Sequence, residues 1–192
     1  MEVMRIFLVG YLLSMLGACT TNEELTPTPA TSSYASSTAT VVVGNLKGVF
    51  DENTKLSWHA DDLIDLSDAT YLSPEQQLDV ENGVKRFIEQ AFERKGIPFS
   101  TEQGSTRYQV VVAGAGSNTK VEKLHELFKV YPGLGHKNVT HGALMIAVVD
   151  TARNFALWRG VVEGEVAPEI SMEARLQRLQ MIVDTLVKSA ET

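Results

Sequence analysis

Four histidines are the side chains of this sequence best suited to bind a metal ion or to transfer a proton near neutral pH. A zinc site needs three or four ligands that converge on one point, commonly through a short spacing such as His-Glu-x-x-His. Two of the four lie five residues apart in glycine-rich sequence, but no such ligand spacing occurs. The sequence therefore predicts scattered surface or capping histidines and no metal site for the set His59, His125, His136 and His141.

Two further segments have compositions typical of phosphate and cation sites. Gly114-Ala115-Gly116-Ser117 lies between a predicted strand and a predicted helix, but the glycines that the dinucleotide fingerprint and the P-loop require are missing. Residues 61–68 contain four aspartates without the spacing or the closing glutamate of an EF-hand. No serine has a Gly-x-Ser-x-Gly context. We therefore predict a glycine-rich turn, a solvated acidic loop, no catalytic residue and no cofactor.

The single cysteine of the chain ends the run Leu16-Gly17-Ala18-Cys19, directly after an uncharged and mostly apolar block. This run is similar to the lipobox of bacterial lipoproteins, in which the cysteine is lipidated and becomes the mature N-terminus. The apolar block, residues 6–18, has the length of a signal-peptide hydrophobic region, about 7–15 residues, and is shorter than the roughly 20 residues of a membrane span. We predict that residues 1–18 are a lipoprotein signal peptide, with Met1 or Met4 as the start.

The lipoprotein resemblance implies a membrane anchor and a location in the cell envelope. Cys19 would carry a thioether-linked diacylglycerol and an acylated amine, and several acyl chains together anchor stably. In Gram-negative lipoproteins Asp after the cysteine favours the inner membrane, so Thr20 implies the outer membrane, facing the periplasm. The inner membrane and the cell surface remain alternatives. Residues 19–40, rich in Thr and Ser with Pro27 and Pro29, are predicted to be a disordered tether.

Charge and composition narrow the partners of the remaining domain, residues 41–192. The net charge of −7 and the pI near 5.1 argue against a nucleic-acid-binding surface, which would need clustered Lys and Arg. Once Cys19 is lipidated, the mature chain has no thiol for a disulfide, a thiolate metal site or a cysteine nucleophile. The length is that of one globular domain.

Hydrophobic periodicity predicts the elements of this domain. Ser73 as N-cap, Pro74 at the first helical position and Gln76 three residues after the cap predict the start of a long helix that Gly96 ends. A second long helix is predicted over residues 172–189 from apolar residues at helical spacing. A shorter helix over 119–131 and strands are also predicted, the strands over 40–43, 55–59, 108–113, 143–149 and 155–162. The fold class is α+β, a two-layer sandwich of a mostly antiparallel sheet with two long helices.

Trp158 and Arg159 are the adjacent pair best suited to contact a partner protein, because both residue types are enriched at binding hot spots. On a strand they point to opposite faces. The favoured interpretation is that Trp158 packs beneath a helix and Arg159 pairs with an acidic neighbour such as Glu163. The alternative is an exposed aromatic-plus-arginine patch that binds an envelope protein.

The C-terminal pattern resembles a family of small bacterial lipoproteins, domain of unknown function 4136, and the resemblance covers most of the chain after the tether. The matching residues are Gly142-Ala143-Leu144-Met145-Ile146, Val149-Asp150 and Leu157-Trp158-Arg159-Gly160, with Lys95-Gly96 ending a helix and Cys19 in the lipobox. The resemblance implies an envelope lipoprotein of α+β type with no established activity. Together these patterns predict a membrane-anchored, non-catalytic binding or assembly module. A hydrolase acting on cell-wall or lipid substrates and a small-ligand carrier are the alternatives.

Overall fold

A mixed, mostly antiparallel sheet is the central element of the domain. The computed structural model of the protein describes residues 39–61, 63–67, 69–115, 128–134, 143–164 and 167–192. Within these residues the sheet has six strands, in the order β1-β6-β5-β4-β2, and β3 pairs with β4 beside β2. They are β1 (Ala39–Gly44), β2 (Leu56–Trp58), β3 (Leu63–Asp65), β4 (Tyr108–Ala115), β5 (Leu144–Asp150) and β6 (Phe155–Glu163). The pairs β1–β6, β6–β5 and β5–β4 are antiparallel, whereas β2 and β3 run parallel to β4.

The short strands β2 and β3 follow one another along the same edge of β4. Trp58 pairs with Val110 and Leu63 pairs with Ala113. The chain advances five residues from Trp58 to Leu63, whereas β4 advances only three between their partners. β2 and β3 therefore do not form one continuous strand along β4, because two extra residues lie between their pairing positions. The predicted acidic loop over residues 61–68 is therefore wrong at β3, where Ile64 is partly buried against the core and the backbone pairs with β4.

Two long helices, α1 (Pro74–Glu93) and α2 (Met172–Ser189), begin and end where their local signals predict. The Ser73 hydroxyl accepts from the Gln76 N–H at 3.3 Å, and the Gln76 side chain accepts from the Ser73 N–H at 2.9 Å, which completes a capping box. After α1, Gly96 has a φ of +79°, a left-handed conformation that glycine adopts without strain. The α+β class predicted from the sequence is confirmed.

The helices pack on one face of the sheet and enclose the larger core cluster. Trp158, Phe92, Ile88 and Leu186 are buried there, and the indole ring of Trp158 meets the Phe92 ring edge-on at 6.4 Å. Gly160 on the same face lies against the Trp158 ring, where a methyl group would approach it to 3.0 Å. This large aromatic residue therefore fills the space between β6 and both helices.

The opposite face of the sheet carries a second buried cluster. Phe128, Tyr131 and Leu134 pack there against β4, β5 and the start of β6. Residues 128–130 are helical and Pro132–Leu134 form a 3-10 turn, while the rest of the predicted 119–131 helix lies outside the described residues. All seven residues of β5 are buried because both faces are covered.

Asp150, at the end of β5, ties the β5–β6 turn to the start of β4. It is 1% exposed and accepts two hydrogen bonds from Arg107, from Nε at 2.9 Å and from Nη2 at 2.6 Å. It also accepts from the Ala152 N–H at 3.1 Å. The hydrogen bond from Arg107 is the main cause that lowers the pKa of Asp150 below its ordinary value of 3.8.

The described core lies entirely within one compact unit, Ala35–Thr192. This unit contains the whole described sheet, both long helices and the buried clusters, so it has the core that an independently folding domain requires. No helix among the described residues is long and apolar enough to cross a membrane. The predicted signal peptide and nearly all of the predicted tether lie outside the described residues.

Candidate functional site: an exposed sheet edge and an apolar cavity

The first candidate site is the outer edge of β1. One side of β1 pairs with β6, and no strand in the described part of the chain pairs with its other side. Val41, Val42 and Val43 are 52%, 37% and 47% exposed. Successive strand residues face opposite ways, so the exposure of three in a row means that neither face of β1 is covered.

β1 is nevertheless held firmly at its C-terminal end. Gly44 has a φ of +81° and lies so close to β6 that a methyl group on it would be 2.1 Å from the carbonyl oxygen of Leu157. Two residues later, Leu46 is fully buried, and its N–H donates to the carbonyl oxygen of Glu191 at 2.8 Å. The exposed edge is therefore presented by a well-anchored strand.

Natural sheet edges are commonly protected by charged residues, proline or bulges, because an unpaired edge can pair with another chain. β1 has the sequence Ala-Thr-Val-Val-Val-Gly, without charge or proline, and its register with β6 is regular throughout. Such an edge can accept an extended segment of another protein as a further strand, with main-chain hydrogen bonds and side-chain contacts on both faces.

The second candidate site is a cavity of about 130 Å³ between the helix layer and the sheet, open to solvent on one side. Apolar side chains from strands and helices form its walls, among them Ile64, Val84, Val162 and Ile182. Gly114 of β4 also lines it and contributes no side chain. The polar residues on the cavity lining are Tyr71, Arg175 and Arg178, and no acidic residue lines it in the described part of the chain.

Arg175, on the second turn of α2, is fixed at this cavity by three contacts. Its Nη2 donates to the carbonyl oxygens of Ala167 at 3.1 Å and Pro168 at 3.3 Å, and its guanidinium carbon lies 5.1 Å from the centre of the Tyr71 ring. Its Nε is buried and has no hydrogen-bond partner among the described residues. Burial raises the pKa of Tyr71, and the Arg175 charge partly opposes that shift. The Arg175 charge is thus positioned at the cavity without a carboxylate partner in the described structure.

A third polar cluster consists of His59 and Asp61, which follow β2, and Tyr131 on the second face of the sheet. His59 Nδ1 accepts from the Asp61 N–H at 3.2 Å, so the proton of the neutral ring is on Nε2, which lies 3.5 Å from the Tyr131 hydroxyl. In this tautomer Nε2 is the donor towards the Tyr131 hydroxyl, and the Asp61 carboxylate lies 3.7 Å from Nδ1. Burial lowers the pKa of His59, and Asp61 partly offsets this. The His59–Tyr131 contact links the end of β2 to the segment that covers the second face.

Of the histidines considered from the sequence, only His59 belongs to the described residues. His125, His136 and His141 lie outside them, as does the predicted lipidation site Cys19. Within the described ranges, no group of three or more His, Cys, Asp or Glu side chains could hold a metal ion.

The predicted partner-binding pair Trp158 and Arg159 does not form a surface patch. Trp158 is 1% exposed because its position on β6 directs it towards the helices. Arg159 points to the opposite face, where its Nη1 donates to the carbonyl oxygen of Leu134 rather than to Glu163. The favoured interpretation of Trp158 as a core residue beneath a helix is confirmed, whereas the expected pairing of Arg159 with Glu163 is wrong, since Arg159 bonds to the 3-10 turn instead.

Sequence reasoning missed Arg175, although one signal was present. Arg175 lies four residues before Leu179 and seven before Ile182, on the stripe that packs α2 against the core. A charged residue within an apolar helical stripe indicates either a compensated charge or a ligand site.

Comparison with solved structures finds chains that are similar at TM-scores below 0.5 and at 12% sequence identity or less. No protein-family model and no curated protein sequence matches the chain. A PelC dodecamer from Paraburkholderia phytofirmans is similar at a TM-score of 0.46 and 7% identity, over 81% of this chain and 98% of that one. A variant of the same PelC gives 0.45 and 6%, with the same coverage. A DUF4136 family protein from Bacteroides thetaiotaomicron gives 0.41 and 12%, over 80% and 93%. The family that the C-terminal residues resemble is thus represented among the similar solved structures.

Proposed function

We propose that this protein is an outer-membrane lipoprotein, anchored through Cys19, whose periplasmic domain binds another envelope protein by strand addition at β1. The observation that carries the proposal is the uncharged, regular and exposed edge of β1, with Val41, Val42 and Val43 open on both faces. The domain acts as a binding or assembly module and performs no chemistry in this role.

Anchoring and edge pairing support one another physically. β1 directly follows the predicted tether, so the edge would lie within the reach of the tether from the membrane surface. Confinement of two proteins to one membrane raises their effective concentration, and a modest strand–strand interaction then becomes sufficient. Strand addition gains affinity from main-chain hydrogen bonds, whereas the valine side chains select the segment that fits.

Site-specific photo-crosslinking in the native envelope tests the edge directly. A photoreactive residue at Val41 or Val43 should give one discrete protein adduct. The same residue at Leu78 is a matched control, because Leu78 is an apolar residue, 56% exposed, on α1 away from the edge. A second copy of this chain in the adduct would identify an assembly module, and a different protein would identify a binding module. Absence of any adduct, or an identical pattern from Leu78, would contradict strand addition at β1.

Lipidation is tested separately with an alkyne-labelled fatty acid. The wild-type protein should incorporate the label and sediment with outer membranes, and Cys19→Ala should do neither. Label in the wild type with inner-membrane sedimentation would refute the outer-membrane assignment, whereas equal labelling of Cys19→Ala would refute the anchor.

A further inference from the structure

We propose that the cavity beside Arg175 binds a small anionic amphiphile: a carboxylate carrying an apolar body of about six to eight carbon atoms. This site does not involve β1, and its occupation is independent of the function proposed above.

The size of the cavity sets the size of the apolar body. An engineered apolar cavity of about 150 Å³ stays dry and binds benzene. The cavity here, about 130 Å³, has a similar apolar lining and opens to solvent. It therefore accommodates a ring or a short single alkyl chain, and it is too small for the paired acyl chains of a membrane phospholipid.

Small residues leave this space unfilled. A methyl group on Gly114 would lie 3.7 Å from the Ala143 carbonyl oxygen and 3.7 Å from a methyl carbon of Leu144, which are ordinary van der Waals contacts. A larger side chain at Gly114 would extend into the cavity, because this position lines it. The empty volume therefore follows from the residue types that line the cavity, such as Gly114, and strain in the sheet is not its cause.

The charge at the cavity selects the head group. Among the described residues, the charged side chains that line it are those of Arg175 and Arg178, although the chain as a whole carries a net charge of −7. The contacts to Ala167, Pro168 and Tyr71 hold the Arg175 guanidinium in place before any ligand arrives. Guanidinium pairs with carboxylate through charge-assisted hydrogen bonds, and a cationic head group would be repelled.

Calorimetric titration with octanoate, below the concentration at which it forms micelles, tests the proposal. The chain from residue 20 onwards serves as the protein, since the core lies within Ala35–Thr192, and circular dichroism verifies its fold. We expect one saturable site for octanoate and a higher Tm in its presence. Octanol should bind about tenfold more weakly because it lacks the ionic hydrogen bonds, and octyltrimethylammonium should show no saturable binding.

Two variants separate the head-group contact from the apolar contact. Arg175→Gln should weaken octanoate binding about tenfold and leave octanol binding unchanged. Gly114→Val should abolish the binding of both ligands, because its side chain occupies the cavity. Arg86→Gln is the matched control: it removes an exposed arginine from α1 that does not line the cavity, and it should change neither affinity.

Three results would overturn the proposal. They are no saturable octanoate binding at millimolar ligand, equal affinities for octanoate and octanol, and octanoate binding that survives Gly114→Val. If Arg175→Gln does not fold, Arg175→Lys keeps the charge but loses the planar fork. It should retain more octanoate affinity than Arg175→Met, which loses both, and equal affinities of these two would also refute the role of the charge.

Discussion

Alanine at Gly44 should destabilise the protein more than alanine at Gly48, and the difference measures how tightly β1 is seated on β6. Both glycines have left-handed backbones, with φ of +81° and +70°. A methyl group at Gly48 meets no atom within 4 Å, whereas at Gly44 it would lie 2.1 Å from the Leu157 carbonyl oxygen. Both substitutions therefore carry the cost of a left-handed backbone at alanine, and only Gly44→Ala adds a steric collision.

The magnitudes follow from these two terms. A non-glycine residue in the left-handed region costs about 1–2 kcal/mol, which applies to both variants. The collision at Gly44 is between backbone groups, so no side-chain rotation relieves it and β1 must move away from β6. Overpacking of this kind costs about 1–3 kcal/mol. We expect Gly48→Ala to lose about 1–2 kcal/mol and Gly44→Ala about 2–5 kcal/mol of unfolding free energy.

Urea unfolding, followed by tryptophan fluorescence and far-UV circular dichroism, measures both losses in the chain from residue 20 onwards. Hydrogen exchange of the Val41, Val42 and Val43 amides then distinguishes global destabilisation from local release of β1. Release should accelerate exchange, in Gly44→Ala alone, at those of these amides that donate to β6 and not at those on the unpaired edge. Equal free-energy losses in the two variants, with unchanged exchange in β1, would show that β1 does not pack against β6 at the distance described.

Three further substitutions test other features of the fold. Asp150→Asn should lower stability at neutral pH because it weakens the pairing with Arg107. The pKa of Asp150 is lowered in the folded state, so the stability that Asp150 contributes is present above pH 3.8 and is lost as the pH falls through the folded-state pKa. Urea titrations should therefore show the difference in unfolding free energy between variant and wild type closing below pH 3.8. A difference that does not depend on pH would refute this. Gly114→Ala should raise the unfolding free energy by about 0.5–1 kcal/mol, since its methyl group has ordinary contacts in the strand; a lower Tm in calorimetry would contradict the cavity geometry. Ser73→Ala should cost about 1 kcal/mol by removing the cap of α1, with Ser73→Thr as the conservative control; a loss equal in both variants would argue against the hydroxyl contact to Gln76.

Sequence predicted those parts of the fold whose causes are local. The capping box at Ser73, the stop at Gly96 and the apolar stripe of residues 172–189 each lie within one element, so periodicity and turn chemistry identify them. Strand β3 was missed because three residues among aspartates carry no pattern, and it forms only through pairing with β4 some fifty residues later.

The candidate sites depend on relations between elements, which a single sequence does not specify. Residues 40–43 were predicted as a strand, but their position at the sheet edge depends on β1 pairing with β6. The cavity arises where several small side chains meet between α2 and the sheet. Trp158 shows that residue type alone does not identify a site. Tryptophan is common at interfaces, but here it is the largest side chain of the described core.

The bond from the Leu46 N–H to the Glu191 carbonyl oxygen imposes an order on folding. It joins the segment after the first strand to a residue just beyond the last helix, and β1 itself pairs with β6. The first strand therefore cannot be fixed until the ribosome has made nearly all 192 residues. Such long-range closure slows folding, since loop-closure entropy is spent before the contacts form. Until β1 docks, the edge strand of the sheet is β6, which then has its own unpaired backbone groups on that side.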